Sequence, residues 1–113
     1  MSIERRLHPR ILVNWPATLH NVQGPIEGET KDISVGGAFI FLSEKPKFGV
    51  NFPILLKPSE ERSISLVGKK TWSRTFNIDN RPVFGMGIKF MLISPEDRQF
   101  ISTLVKKESK GAP

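Results

Sequence analysis

Three arginines lie within six residues near the start of the chain, in the segment Arg5-Arg6-Leu7-His8-Pro9-Arg10. The planar guanidinium of arginine binds two phosphate oxygens at once, stacks on flat π-systems and can bind the O6 and N7 edge of guanine. Pro9 disfavours a helix, so we predict a flexible arm over residues 1–10, directly before the first strand. This chemistry suits an anionic ligand with purine bases, and the simpler alternative is a solvated run of charge.

A second segment, Asp32-Ile33-Ser34-Val35-Gly36-Gly37, combines a carboxylate, a hydroxyl and two glycines. The carboxylate of Asp32 can accept hydrogen bonds from the two donors on the Watson–Crick edge of guanine, and Ser34 can bind a base or a phosphate. Gly36 and Gly37 allow positive φ and the close approach of a ligand to the backbone. The alternative is a turn between two strands, held by its own side-chain hydrogen bonds to the backbone.

The sequence lacks the residues of the common catalytic and metal sites. It contains no Cys, which excludes disulfides, thiolate ligands and a cysteine nucleophile. His8 and His20 are the only histidines, and neither has an acidic cluster at metal-ligand spacing. Phosphate-binding loops of the Gly-x-x-x-x-Gly-Lys type and Gly-x-Ser-x-Gly elbows are absent, and nothing places a base beside Ser34. We therefore expect a binding protein with no enzymatic activity, metal or cofactor.

The composition is that of one basic globular domain over residues 1–113. Seventeen basic and eleven acidic residues give a net charge of +6, which favours anionic partners such as nucleic acid, nucleotides or anionic lipid. The hydrophobic fraction of 38% is ordinary for a globular fold. The longest apolar run, at residues 38–42, is too short to span a membrane, and the N-terminus lacks a signal-peptide pattern. A soluble, cytoplasmic protein is expected.

Short strands separated by turns rich in Gly and Pro are predicted across residues 11–93. Pro16 cannot donate to a strand ladder, so we expect an edge or a bulge there. Gly85 and Gly87 lie two apart in the last strand, which indicates close approach of the backbone or the strong coiling of a small barrel. The alternation of apolar and polar residues predicts six strands, at residues 11–20, 28–33, 38–42, 51–56, 64–73 and 83–90, with a polar loop at 74–82.

A helix is predicted over residues 94–107, with a frayed tail at 108–113. Ser94 is a strong N-cap, and Pro95 stands where a helix tolerates proline. Four apolar side chains fall on one helical face that we expect to dock on the sheet: Phe100, Ile101, Leu104 and Val105. Six strands and one such helix predict a mostly β fold, either a small antiparallel barrel or a sandwich, with a C-terminal helix.

Three aromatic residues could lie either in the core or on the surface. Trp72 lies close to the arm in the predicted fold, so an outward indole there could stack on a guanine. A Trp within an alternating strand is more often a core residue, and both positions stay open for Trp72. Phe39 and Phe41 are interpreted as core residues.

The two polar segments, taken in this order, form a recognisable pattern. Arg-x-x-x-Arg (Arg6 and Arg10) before the first strand, followed by Asp-x-Ser-x-x-Gly (Asp32, Ser34 and Gly37) between the second and third, resembles the PilZ family, whose members are bacterial receptors for the second messenger cyclic di-GMP. The resemblance covers about residues 4–106. It implies a six-stranded antiparallel barrel with a C-terminal helix, and an arginine-bearing arm that closes over the ligand.

The resemblance further implies a signalling role. Ligand binding would order the arm and change the surface shown to a partner protein in motility, adhesion or polysaccharide secretion. Arg5 adds a third guanidinium that suits a self-stacked pair of ligands, so two ligands per chain are expected. The implied site residues are Arg5, Arg6, Arg10, Asp32, Ser34, Gly36, Gly37 and, as the open case, Trp72.

Two other functions are compatible with the residues. An OB-like single-stranded nucleic-acid-binding protein also suits a small basic barrel with exposed aromatic residues. That class spreads its aromatics along one groove, whereas the basic residues here concentrate at an arm facing a Gly-rich turn, so we expect no DNA partner. A partner-binding module that keeps the motifs without using them would bind no nucleotide at all.

Overall fold

The computed structural model describes residues 9–47 and 49–111. All strand pairs are antiparallel, and the strands close a barrel in the order β1-β2-β3-β6-β5-β4. The predicted six-stranded antiparallel barrel with a C-terminal helix is therefore confirmed. Its elements are β1 (Ile11–Asn21), β2 (Gly24–Ile33), β3 (Gly37–Leu42), β4 (Asn51–Ser59), β5 (Arg62–Ile78), β6 (Arg81–Ile93) and α1 (Pro95–Gly111).

Alternate side chains of each strand fill the barrel, because successive residues of a strand point to opposite faces. In β1, Trp15, Ala17 and Leu19 are buried while Pro16 is exposed. The pairing of β1 with β4 begins at Ala17, so the missing N–H of Pro16 costs no hydrogen bond to β4. A register shift between Leu12 and Trp15 supplies the bulge expected near this proline.

The helix begins as the sequence predicts. The backbone N–H of Asp97 donates to the Ser94 hydroxyl at 3.1 Å, which is an N-cap bond. On the docking face, Ile101 and Val105 are buried in the core, and the ring of Phe100 lies 6.3 Å from that of Trp15. This contact joins the helix to β1.

The helix continues to Gly111 instead of ending at residue 107. Residues 106–110 contain no helix breaker, and Gly111 is the first residue that favours a C-terminal cap. Residues 108–111 of the predicted frayed tail are therefore helical, and residues 112–113 lie outside the described part of the chain. Within the residues described, no helical segment has the length and apolar character needed to cross a membrane.

The polar loop predicted at residues 74–82 is wrong. β5 continues to Ile78 and β6 starts at Arg81, so a two-residue turn joins them. Asp79 and Asn80 have φ values of 53° and 62°, as a type I′ hairpin turn requires. The loop prediction failed because the polar residues here belong to exposed strand, where neither face is covered by a neighbouring layer.

The prediction that Phe39 and Phe41 lie in the core is also wrong. The apolar side chains of β3 that are buried are those of Ala38, Ile40 and Leu42, and the two phenylalanines point to the outer surface. Both rings are half-buried because they pack edge to face, with centroids 5.1 Å apart. A strand that is apolar on both faces has no alternation from which its inward face can be inferred.

Candidate functional site

The two polar motifs meet at one end of the β1–β2 pair. Arg10 directly precedes β1, and the register places Leu12 opposite Asp32. The Nε–H of Arg10 donates to Oδ1 of Asp32 at 2.9 Å, and Nη1 of the same guanidinium donates to the Ser34 hydroxyl at 3.4 Å. The side chains of Arg10 and Asp32 are 24% and 26% exposed. Because guanidinium has five N–H donors, Arg10 keeps donors for a ligand.

Ser34 also holds the turn between β2 and β3. Its hydroxyl accepts hydrogen bonds from the backbone N–H groups of Gly36 and Gly37, each at 3.2 Å. The backbone N–H of Ser34 donates to the carbonyl of Gly37 at 2.8 Å. The side chain is 2% exposed. The turn suggested as an alternative from the sequence is therefore present, and the same hydroxyl also contacts Arg10.

Gly37 is needed for close packing rather than for an unusual φ. A Cβ at this position would overlap the carbonyl oxygen of Ile88 on β6. The positive φ values expected at Gly36 and Gly37 are not observed; the described glycines with positive φ are Gly24 and Gly49. Because Gly37 has no side chain, β3 can lie close to β6 at this end of the site.

An open groove of about 850 Å³ lies beside the Arg10–Asp32 pair. Its volume falls within the roughly 300–1,000 Å³ of small-molecule sites. Six of the predicted site residues line it, together with further residues of β3, β5 and β6. The groove is lined by Arg10, Asp32, Ser34, Gly36, Gly37, Ala38, Phe39, Thr71, Trp72, Phe76, Gly87, Ile88 and Lys89.

Aromatic side chains form the wall of this groove, and we call Phe39, Trp72 and Phe76 the aromatic wall. The indole of Trp72 is 46% exposed and stacks on Phe39, with centroids 5.1 Å apart and planes inclined by 20°. The core position left open for Trp72 is therefore excluded. The space at Gly85 and Gly87, where the sequence indicated close approach of the backbone, is taken by side chains, since a Cβ on either glycine would overlap these rings.

Seven residues of the groove were not predicted from the sequence, and Phe39, Phe76 and Lys89 are the ones whose side chains bring aromatic rings or charge to it. Phe39 lies opposite Gly87 on β6, and Gly87 lies opposite Trp72 on β5, so one cross-strand row forms the wall. The two glycines were the available signal, because a glycine on an outward strand face leaves room for a neighbouring ring. Lys89 is exposed beside this row and adds positive charge to the groove.

Two of the predicted site residues, Arg5 and Arg6, lie outside the described residues. Among those described, no group of three or more His, Asp or Glu side chains could hold a metal ion. The helix contacts the β2–β3 turn, where Nη1 of Arg98 donates to the carbonyl of Val35 at 3.4 Å. The described groups equip the groove to bind a flat, anionic molecule through charge, hydrogen bonds and stacking.

Comparisons with known proteins find the same fold. The Bacillus subtilis inhibitor of motility MotI/DgrA superposes with a TM-score of 0.77 at 20% identity, over 96% of this chain and 53% of that one. The PilZ domain of YcgR from Escherichia coli, determined with c-di-GMP, superposes with a TM-score of 0.73 at 15% identity, over 95% of each chain. The K. pneumonia MrkH–c-di-GMP complex gives 0.78 at 18% identity, over 96% of this chain and 55% of that one.

The chain thus spans about half the length of MotI/DgrA and of MrkH. No curated protein matches it closely enough to count as a relative. The family model of the PilZ domain matches residues 4–107. This match covers nearly the whole barrel and helix, together with both polar motifs, and the chain therefore belongs to the PilZ domain family.

Proposed function

We propose that this chain is a receptor that binds cyclic di-GMP in the groove. The observation that carries the proposal is the contact of Arg10 with Asp32 at 2.9 Å, since it joins two motifs that are 22 residues apart beside an aromatic wall. The similar folds of YcgR and MrkH, both determined with c-di-GMP, support the choice of ligand. Binding rather than catalysis is the proposed activity.

The ligand carries two phosphates and two guanines, and the groove offers groups for both. Arg10 would bind a phosphate or the O6 and N7 edge of a guanine with the donors that Asp32 and Ser34 leave free. Asp32 would accept from the Watson–Crick donors of a guanine. The backbone at Gly36 and Gly37 would leave space for the ring. The exposed Lys89 adds a second cation at the groove.

The aromatic wall would hold a guanine by stacking. Phe39 already occupies one side of the Trp72 indole, and the indole is still 46% exposed. A base stacked on its open side would extend this pair by one ring. Stacking of a base on an aromatic side chain contributes about 1–3 kcal/mol. We therefore assign Trp72 to the ligand-binding residues.

The arm over residues 1–10 would complete the site. Arg5 and Arg6 would bring two further guanidinium groups to the ligand, and ligand binding would order the arm over the groove. Ordering of the arm would change the surface around the groove. A partner protein in motility, adhesion or polysaccharide secretion would recognise this changed surface. The contact of Arg98 with the β2–β3 turn gives the helix a direct link to the site.

The experiment that tests this function compares cyclic di-GMP, GMP and oligonucleotides of increasing length by isothermal titration at two salt concentrations. We expect saturable binding of cyclic di-GMP and much weaker binding of GMP. An affinity that grows with oligonucleotide length and falls steeply in salt would instead identify a single-stranded nucleic-acid binder. Absence of binding to every nucleotide would show that the motifs are retained without use.

A further inference from the structure

Half of β5 forms an open sheet edge. β4 pairs with β5 only as far as Lys69, and the last backbone bond on that side runs from the N–H of Lys70 to the carbonyl of Val50 at 2.8 Å. Residues 72–78 of β5 pair with β6 on the other side, and Thr71 lies in the register shift between Lys70 and Trp72. Residues 71–78 pair with no second strand in the described part of the chain. We call residues 71–78 the β5 edge.

The pairing with β6 determines which backbone groups face outwards along the β5 edge. Ile78 and Arg81 flank the two-residue turn, so they form a hydrogen-bonded pair. Hydrogen-bonded and non-hydrogen-bonded pairs alternate along an antiparallel ladder. The N–H and C=O groups of three residues therefore point away from β6, toward the open side: Ser73, Thr75 and Asn77.

The side chains of the β5 edge do not protect it. Natural edge strands are shielded by lysine, proline, bulges or inward charges. The β5 edge, Thr71-Trp72-Ser73-Arg74-Thr75-Phe76-Asn77-Ile78, contains no proline, glycine or lysine, and Arg74 is its single charge. β-branched and aromatic residues make up most of it, and every residue except the half-buried Phe76 is exposed. The register shift at Thr71 lies at the start of the edge, and residues 72–78 form a regular ladder with β6, so this part of the edge is suited to pairing with another strand.

We propose that two copies of this chain pair through their β5 edges, antiparallel and about a two-fold axis at Thr75. Thr75 then lies opposite Thr75 of the second copy, and Ser73 lies opposite Asn77. These pairs use the outward N–H and C=O groups of all three residues, which gives six backbone hydrogen bonds between the copies. The edges are complementary in hydrogen bonding without any change in strand conformation.

The side chains favour this register. Arg74 lies opposite Phe76 of the second copy, a cation–π pair like the one within the chain, where the Arg74 guanidinium is 5.7 Å from the Phe76 ring centre. Trp72 lies opposite Ile78, an aromatic pair with a β-branched residue. A register centred on Arg74 would instead place two arginines directly opposite each other, which is destabilising. Like charge therefore disfavours an axis at Arg74, and the cation–π pair of Arg74 with Phe76 favours the axis at Thr75.

Pairing of this kind joins the two barrels into one continuous outer sheet surface. Because the two-fold axis is perpendicular to the sheet, both grooves open on the same face, with Trp72 of each groove beside the second copy. The contact is a single strand pair, smaller than the roughly 1,200–2,000 Å² of stable interfaces, so a weak dimer is expected. The inference depends on the strand pairing and on the side chains of the β5 edge, and is independent of the proposed ligand.

Sedimentation velocity on the full chain without ligand tests the dimer, over concentrations from about 10 μM to about 1 mM, where a weak interface associates. Thr75→Lys and Thr75→Glu each place like charges opposite each other across the axis, and we expect both to raise the dissociation constant at least about tenfold. Thr103→Lys, on the exposed face of α1, makes the same charge change away from the β5 edge and should dimerise like the natural chain. A chain that stays monomeric at every concentration overturns the proposal. So does a dimer that all three variants leave unchanged.

Oxidative cross-linking tests the register, because the natural chain has no cysteine. In the proposed register the two Thr75 positions are about 5.5 Å apart between Cα atoms, within the range that a disulfide can bridge. Thr75→Cys should therefore form a cross-linked dimer, while Arg74→Cys, offset by two residues along the strands, should form much less. Equal or greater cross-linking of Arg74→Cys contradicts the axis at Thr75.

Discussion

The indole of Trp72 occupies the space that a Cβ on Gly87 would need. The two residues are paired across β5 and β6, and Phe39, on the far side of Gly87, stacks on the same indole. A glycine on the outer surface of β6 is therefore what allows two aromatic rings from neighbouring strands to meet above it. The aromatic wall of the groove depends on this missing side chain.

Gly87→Ala should separate the stacked rings. The added methyl overlaps the indole, and because Trp72 is half-exposed the ring can move outward, so we expect a loss of stability below the ~1–3 kcal/mol typical of an overfilled core. The near-UV circular dichroism of the stacked rings should fall, and the affinity for cyclic di-GMP should fall with it. Ser65→Ala, on an exposed position of β5, is the control. Unchanged dichroism and affinity in Gly87→Ala would contradict the role of the wall.

Ser34→Ala should lower both stability and binding. The hydroxyl is the acceptor for the N–H groups of Gly36 and Gly37, and leaving such groups without a partner costs about 1–3 kcal/mol. Urea unfolding measures this loss directly. Ser43→Ala, at an exposed position after β3, should unfold like the natural chain. If Ser34→Ala keeps full stability, the hydroxyl does not hold the turn.

The turn between β5 and β6 gives a test of backbone conformation. Asn80 has φ of 62°, which glycine adopts freely and a β-branched residue does not. Asn80→Val should destabilise the protein by about 1–2 kcal/mol, and Asn80→Gly should be neutral or stabilising. Thermal unfolding of the two variants side by side is the measurement. Equal melting temperatures would be inconsistent with a type I′ turn.

The main features of the fold could be predicted from local patterns. Leu19, Ile54 and Ile64 alternate with exposed or half-buried neighbours, so periodicity alone identifies their strands and inward faces. The cap at Ser94 is also local, since its side chain bonds to the backbone three residues on. Strand ends were less predictable. Residues 74–77 are polar except for Phe76 and resemble a loop in sequence, and only the pairing with β6 identifies them as a strand.

The site could be predicted only in part, for a similar reason. Arg10, Asp32 and Ser34 stand out because their chemistry is specific, and the structure brings these three together. Phe39 and Phe76 carry no such signal, because their position depends on which face of each strand points outward and on the register across β3, β6 and β5. The register between strands is determined by long-range contacts, which cannot be inferred from a single sequence.

The number of ligands is a further prediction, which depends on Arg5. A self-stacked pair of ligands doubles the negative charge at the site, and a third guanidinium on the arm would offset it and could stack on the outer base for about 0.5–2 kcal/mol. We expect two cyclic di-GMP molecules per chain, and one for Arg5→Leu. Titration with known active protein concentration gives the ratio. A ratio of one in both proteins would refute this while leaving the receptor function intact.

The most direct test of the receptor function is isothermal titration of cyclic di-GMP into the natural chain, Arg10→Ala and Arg81→Ala. Arg81 lies at the turn after β5 and does not line the groove, so it controls for the loss of one positive charge. Loss of a charge-assisted contact costs about 1.5–3 kcal/mol, so Arg10→Ala should bind about tenfold to more than a hundredfold more weakly. The natural chain and Arg81→Ala should bind alike. No saturable binding to the natural chain, or natural affinity in a folded Arg10→Ala, would contradict the account.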